Sequence, residues 1–171
     1  MLSIEDVFSE DAVCAWIDKV HAMHPDCTFS VETKIDGLSM SLRYVKEADG
    51  KLHLQLAETR GDGLIGEDVT ANARVVGDVL QVIDLPYDSL ELRGEVYMSH
   101  EDFEKYNEEQ EKLEKKTAAN PRNLAAGTLR QLDTSITKKR GLEMFIFNVQ
   151  DGPAEIMESH SKGMDILKAA G

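Results

Sequence analysis

Apolar and polar positions along the chain switch between two periods. Val13, Trp16, Ile17 and Val20 recur at helical spacing. Ser9 can cap that helix, and Glu10 and Asp11 suit its positive N-terminal end. His24-Pro25-Asp26 ends it, because proline disfavours helical geometry in the residue before it. The period then becomes two. Phe29, Val31, Thr33 and Ile35 alternate with Glu32, Lys34 and Asp36, which predicts a strand with the three charged groups on one face. Leu38, Met40, Leu42 and Tyr44 predict a second strand, and Ala48-Asp49-Gly50-Lys51 a hairpin turn. Leu52, Leu54 and Leu56 make the return strand.

Further on, Arg60-Gly61-Asp62-Gly63-Leu64-Ile65-Gly66 reads as a glycine-punctuated loop opening a short helix through Val69, Ala73 and Val76. Leu90 to Met98 predicts a strand interrupted by Arg93-Gly94-Glu95. Ser99 and Asp102 form a capping box for a helix with Phe103, Tyr106 and Leu113 on its apolar face. Asn120-Pro121 starts another helix, with asparagine as cap and proline at the first helical position. Leu142 to Val149 predicts an apolar strand, and Met164, Leu167 and Ala170 a last helix. Strands and helices without regular βαβ alternation point to an α+β fold with antiparallel sheets and flanking helices.

Composition narrows the function classes. The 171 residues suffice for one domain with a real core. There is no apolar run of about 18 residues or more, and no basic, apolar leader at the start, so the sequence predicts a cytoplasmic protein with no membrane partner. Cys14 and Cys27 form no CxxC pair and fit reduced thiols. Acids outnumber bases 32 to 19, a formal charge of −13. Such a surface repels phosphates, so contact with a nucleotide or nucleic acid must come from a few placed arginines.

Four local features could carry chemistry. Glu32-Thr33-Lys34-Ile35-Asp36-Gly37 sets a lysine between two acids, either an exposed charge ladder or a positioned nucleophile. Flanking carboxylates favour the ammonium form, and an ordinary lysine is only about a thousandth neutral at roughly pH 7.4. A nucleophile here therefore needs further cations, a metal or other lysines, to offset the acids. The Arg60 to Gly66 loop suits a phosphate, or simply turns. Arg93-Gly94-Glu95 is a structural ion pair or a polar grip in a cleft. Arg122 and Arg130 flank a helix and could hold phosphates or stay solvated. The histidines at 21, 24, 53, 100 and 160 form no readable zinc set.

The order of these features is more specific than any one of them. Glu32 to Gly37 is followed by Thr59-Arg60-Gly61-Asp62-Gly63 and Gly66-Glu67-Asp68-Val69-Thr70-Ala71-Asn72. Then come Leu92-Arg93-Gly94-Glu95-Val96 and the run from Asn120-Pro121-Arg122-Asn123 to Leu129-Arg130-Gln131-Leu132-Asp133. The series, from about residue 29 to 149, closely resembles the adenylation (nucleotidyltransferase) domain of NAD-dependent bacterial DNA ligases. ATP-dependent ligases and capping-type nucleotidyltransferases share the KxDG element; the 59–63 and 120–133 stretches favour the NAD family.

The resemblance implies a ligase/nucleotidyltransferase-like (ATP-grasp-like) core. It assigns Lys34 as the nucleophile that attacks the α-phosphorus of NAD, with Asp36 orienting it or contacting ribose. Glu32 reads adenine, Gly37 completes the pocket, Arg60 and Glu95 bind the nucleotide, and Phe147 stacks on the base. Ser3 and Ile4 approach the cofactor, while Arg122 and Arg130 engage phosphates of NAD or nicked DNA. Magnesium is the implied metal cofactor. Thr33 replaces a frequent proline, and Ser39 and Met40 replace small and aliphatic residues. Residues 1–171 are expected to be a partial adenylation domain, incomplete on its C-terminal side. The family's nicotinamide mononucleotide-capturing N-terminal domain, oligonucleotide-binding barrel, zinc module, helix-hairpin-helix elements and BRCT domain are expected to be absent. Downstream motif lysines would supply the offsetting charge, so this chain alone is expected to adenylylate slowly, if at all. The alternative is a non-catalytic adenine-nucleotide-binding or interaction module built on the same fold.

Overall fold

The computed structural model describes residues 6–63 and 65–171, and the chain falls into two compact units, residues 1–33 and 34–171. In the first unit, α1 (Glu10–Met23) starts where the sequence predicts. The Ser9 hydroxyl accepts from the Ala12 N–H at 3.2 Å, and the His24 N–H closes the last turn onto the Val20 carbonyl. The chain after the helix turns back, setting the Phe29 ring 5.3 Å from Trp16 and 5.2 Å from His21. The strand predicted over 29–36 does not form. Residues 27–36 adopt no strand, and the first ladder begins at Leu38. Alternation prepares a segment for a sheet, but a strand also needs a neighbour to take up its backbone hydrogen bonds.

The second unit is built on one five-stranded sheet with strand order β3-β2-β1-β4-β5 and antiparallel neighbours throughout. Its strands are β1 (Leu38–Lys46), β2 (Leu52–Thr59), β3 (Val82–Ile83), β4 (Ser89–Met98) and β5 (Leu142–Asp151). The β1–β2 hairpin turns at Gly50, whose φ of 81° and the bond from the Lys51 N–H to the Asp49 carboxylate explain the Asp-Gly pair. The predicted alternation holds here. Met40, Leu42 and Tyr44 on β1 and Leu90, Leu92, Val96 and Met98 on β4 are buried. Fully burying one such side chain is worth about 1.5–3 kcal/mol, so this face holds the sheet to its covering helices.

Those helices are α2 (Thr70–Ala73), α3 (His100–Lys112), α4 (Pro121–Leu129), α5 (Thr134–Lys139), α6 (Ala154–Met157) and α7 (His160–Ala170). Leu124, Ala125 and Leu129 of α4 and Ile156 of α6 join the same core. Ser99 caps α3 and Asn120 caps α4 as expected, each accepting from the N–H three residues on. Leu113, expected on the apolar face of α3, instead ends the helix and is exposed. Among the described residues no helix is long and apolar enough to cross a membrane.

A buried polar network ties α2, α4 and α5 together. Asn72 Nδ2 donates to the Gln131 carbonyl at 2.7 Å, and the Thr137 hydroxyl donates toward Asn72 Oδ1 at 2.7 Å, with the Thr128 carbonyl at 3.0 Å. The Thr128 hydroxyl donates to the Leu124 carbonyl and accepts from Arg140. Thr128 and Thr137 are 0% and 1% exposed, so unpaired polar atoms would be costly here. No buried side-chain nitrogen or oxygen among the described residues lacks a partner.

Candidate functional site

The second unit's chemistry gathers where β1 begins. Gly37 precedes β1 and lies against β4: a Cβ there would stand 2.1 Å from the Val96 carbonyl oxygen. Only glycine allows this approach, which lets the Gly37 N–H donate to the Glu95 carboxylate. The register sets Ser39 opposite Glu95 and Ser41 opposite Arg93, so these residues share the half-exposed face of the sheet. Gly94 lies between the two charged residues. A Cβ on it would sit 2.4 Å from the Phe145 carbonyl oxygen, beside a register shift between β4 and β5 at Arg93/Gly94. Phe147 falls in that irregularity, and the Arg93 guanidinium lies 5.6 Å from its ring centroid. The sequence expectation of an interrupted strand is thus corrected: β4 runs continuously against β1, and the disturbance lies on its β5 side.

Electrostatics follow from this packing. Burial pushes the Glu95 carboxyl above the ordinary glutamate range, while the Gly37 N–H and the Arg122, Lys34 and Arg93 cations pull it back down. Because the folded state binds the proton more readily, Glu95 favours folding most at low pH. That contribution falls as pH rises through the interval between its ordinary and raised values. Burial therefore disfavours the ionised form of Glu95, and a cationic or hydrogen-bond-donating ligand would relieve that cost.

The predicted site residues are partly brought together. Lys34 is exposed and within electrostatic reach of Glu95. Asp36 accepts from Arg122 Nη1 at 3.1 Å. The Arg60 N–H donates to the Ser39 carbonyl at 3.2 Å, tying the glycine loop to β1. In that loop Gly61 and Gly63 have φ of 54° and 97°, and the Asp62 carboxylate accepts from the Ile65 N–H. Arg130 caps the end of α4 and pairs with Glu67. Glu32 belongs to the first unit, where it accepts from the Ser30 hydroxyl at 2.9 Å. Ser3 and Ile4 lie outside the described residues.

Arg93 is singled out from the sequence only with Glu95, as an ion pair or a polar grip, and their spacing of two puts both on one strand face. Ser39 and Glu67 are not singled out from the sequence as site residues. Among the described residues no three His, Cys, Asp or Glu side chains form a cluster able to hold a metal. The carboxylates among the described residues do not build a magnesium cage.

The chain resembles known proteins along its whole length. The family model for the NAD-dependent DNA ligase adenylation domain matches residues 1–171. A DNA ligase of Clostridium kluyveri is 44% identical over 171 residues, covering 100% of this chain and 25% of the relative. One from Lactobacillus helveticus is 49% identical over 162 residues, covering 94% of this chain and 23% of the relative. One from Jannaschia sp. is 45% identical over 176 residues, covering 100% and 23%. The chain thus spans about a quarter of the length of these relatives. With the match running end to end, the chain belongs to the NAD-dependent DNA ligase adenylation domain family.

Proposed function

We propose that this chain is the adenylate-accepting part of a DNA-joining enzyme, with Lys34 as the nucleophile, on the ligase/nucleotidyltransferase-like core that its family implies. The observation that carries this reading is the single constellation of Lys34, Asp36, Gly37, Arg93, Glu95 and Phe147 around the start of β1. The neutral Lys34 amine attacks the α-phosphorus of NAD. A nitrogen–phosphorus bond forms, the pyrophosphate bond breaks, nicotinamide mononucleotide leaves with the bridging oxygen, and the amine proton passes to solvent. A lysine-bound AMP divides one hard phosphoryl transfer into two easier ones. The AMP then passes to the 5′-phosphate of a nick, and the 3′-hydroxyl displaces it.

Each neighbouring residue has a physical part in this scheme. Glu95 accepts from a ribose hydroxyl, exchanging poor solvation for a hydrogen bond. Phe147, backed by the Arg93 cation, offers a flat face to adenine. The motif resemblance assigns Glu32 as acceptor of the adenine amino group and Ser3 and Ile4 as cofactor contacts. Asp36 holds Arg122, whose guanidinium can meet a phosphate. Magnesium, carried by the phosphates and water, would neutralise charge on the leaving group. Residues 1–171 are read as part of an adenylation domain, in which Lys34 reacts slowly without further cations beside it.

Incubation with NAD and magnesium, followed by intact mass, tests this. A slow, incomplete gain of one AMP, confined to Lys34 and lost in Lys34→Ala, is expected. An adduct that survives Lys34→Ala overturns the assignment. A rapid stoichiometric adduct overturns the need for further cations.

A further inference from the structure

Glu67 has no part in the reading above, yet its surroundings hold it firmly. The Thr59 N–H donates to the Glu67 carbonyl and the Glu67 N–H donates to the Thr59 hydroxyl, both at 3.0 Å. Thr59 itself is only 2% exposed. Just before it, Gly66 passes so close that a Cβ would sit 2.0 Å from the Thr59 carbonyl oxygen. The loop that starts at Arg60 is therefore fastened at its far end on Glu67.

From this base the Glu67 carboxylate reaches Arg130, whose Nε–H donates to Oε2 at 2.6 Å. The backbone beside Arg130 is fixed too. The Gln131 N–H donates to the Thr128 carbonyl, and the Gln131 carbonyl accepts from Asn72. The two side chains are 48% and 58% exposed, and an ion pair so open to water contributes little to stability. Stability alone gives little reason for such fastening. Orientation does. Contact through Nε leaves the guanidinium edge with both terminal nitrogens available, and that edge matches two oxygens of a phosphate.

We propose that Glu67 is a positioning residue that aims Arg130 so that its terminal nitrogens grip a phosphate, linking the Arg60 loop to the end of α4. This rests on the proposed function for the source of that phosphate, either the pyrophosphate of the nucleotide or the 5′-phosphate of a nick.

Side-chain NMR of the 15N-arginine-labelled chain tests it. The probes are inorganic pyrophosphate, NAD, and nicked duplexes carrying a 5′-phosphate or a 5′-hydroxyl. Arg130 Nε is expected to shift with at least one phosphate probe. A response to pyrophosphate and NAD assigns the grip to the nucleotide; a response to the 5′-phosphorylated duplex alone assigns it to the nick. Glu67→Ala should weaken that probe about fivefold to tenfold, whereas Glu67→Gln, whose amide oxygen still accepts from Nε, stays within about twofold. In an Arg130→Ala background, Glu67→Ala should add no further loss. Wild-type affinity in Glu67→Ala, an equal loss without Arg130, or no Arg130 response to any probe overturns the inference. An intact Arg130 response in a chain whose Glu95 and Phe147 ignore AMP would sink only the proposed function.

Discussion

Gly37→Ala should cost the domain about 2–4 kcal/mol of stability and abolish nucleotide binding in the same step. The added methyl meets the Val96 carbonyl at 2.1 Å, a backbone atom inside the β1–β4 ladder that no rotamer change can move. Relief requires the chain to lift from β4. That removes the Gly37 N–H from Glu95, leaving a half-buried carboxylate with one donor fewer, and displaces Lys34 and Asp36. Gly127 provides the contrast. It lies inside α4, where an added Cβ would meet nothing within 4 Å, so Gly127→Ala should leave stability unchanged or raise it by about 1 kcal/mol. Urea unfolding of both variants checks the pair. Equal midpoints for Gly37→Ala and the wild type would contradict the close-approach argument.

Asn72→Ala should cost about 2–4 kcal/mol, although Asn72 lies outside the constellation of nucleotide residues. It removes the donor to the Gln131 carbonyl and an acceptor of the Thr137 hydroxyl in one cut. Thr137 can still turn to the Thr128 carbonyl at 3.0 Å, so the main loss is at Gln131 and the junction of α2 with α5. Because that junction sets the backbone beside Arg130, the variant should also weaken phosphate contacts there. An unfolding free energy within about 0.5 kcal/mol of the wild type, the usual range for an ordinary surface change, would show that water replaces the network.

These two residues mark the boundary between what local pattern conveys and what it does not. Period and capping made α1, β1, β2 and α4 readable, because Ser9, Asp49-Gly50 and Asn120-Pro121 act on their own local backbone. The stretch from Phe29 to Asp36 misled, because alternation is local and a strand's partner is not. The short α5 and α6 and the two-residue β3 carry too few turns or alternations to stand out. The motifs pointed to the residues around β1, but not to which of them serve the fold. Asn72 and Gln131 lie within motif stretches and bond to each other, whereas Arg122 and Arg130 in the same run face outward onto acids. That division depends on contacts separated by 59 to 86 positions along the chain, which no local pattern encodes.

The central claim, that the half-exposed face around the start of β1 holds an adenine nucleotide, is tested most directly by a backbone NMR titration with AMP. Glu95→Gln serves as the control. Removing a half-buried charge should leave its melting temperature equal or higher at neutral pH while weakening AMP binding, because the amide accepts a ribose hydroxyl less strongly. At millimolar AMP the wild type should show shifts gathered at Gly37, Ser39, Arg60, Glu95 and Phe147, reduced in Glu95→Gln. Shifts confined to other parts of the chain, or none at all, would contradict the account.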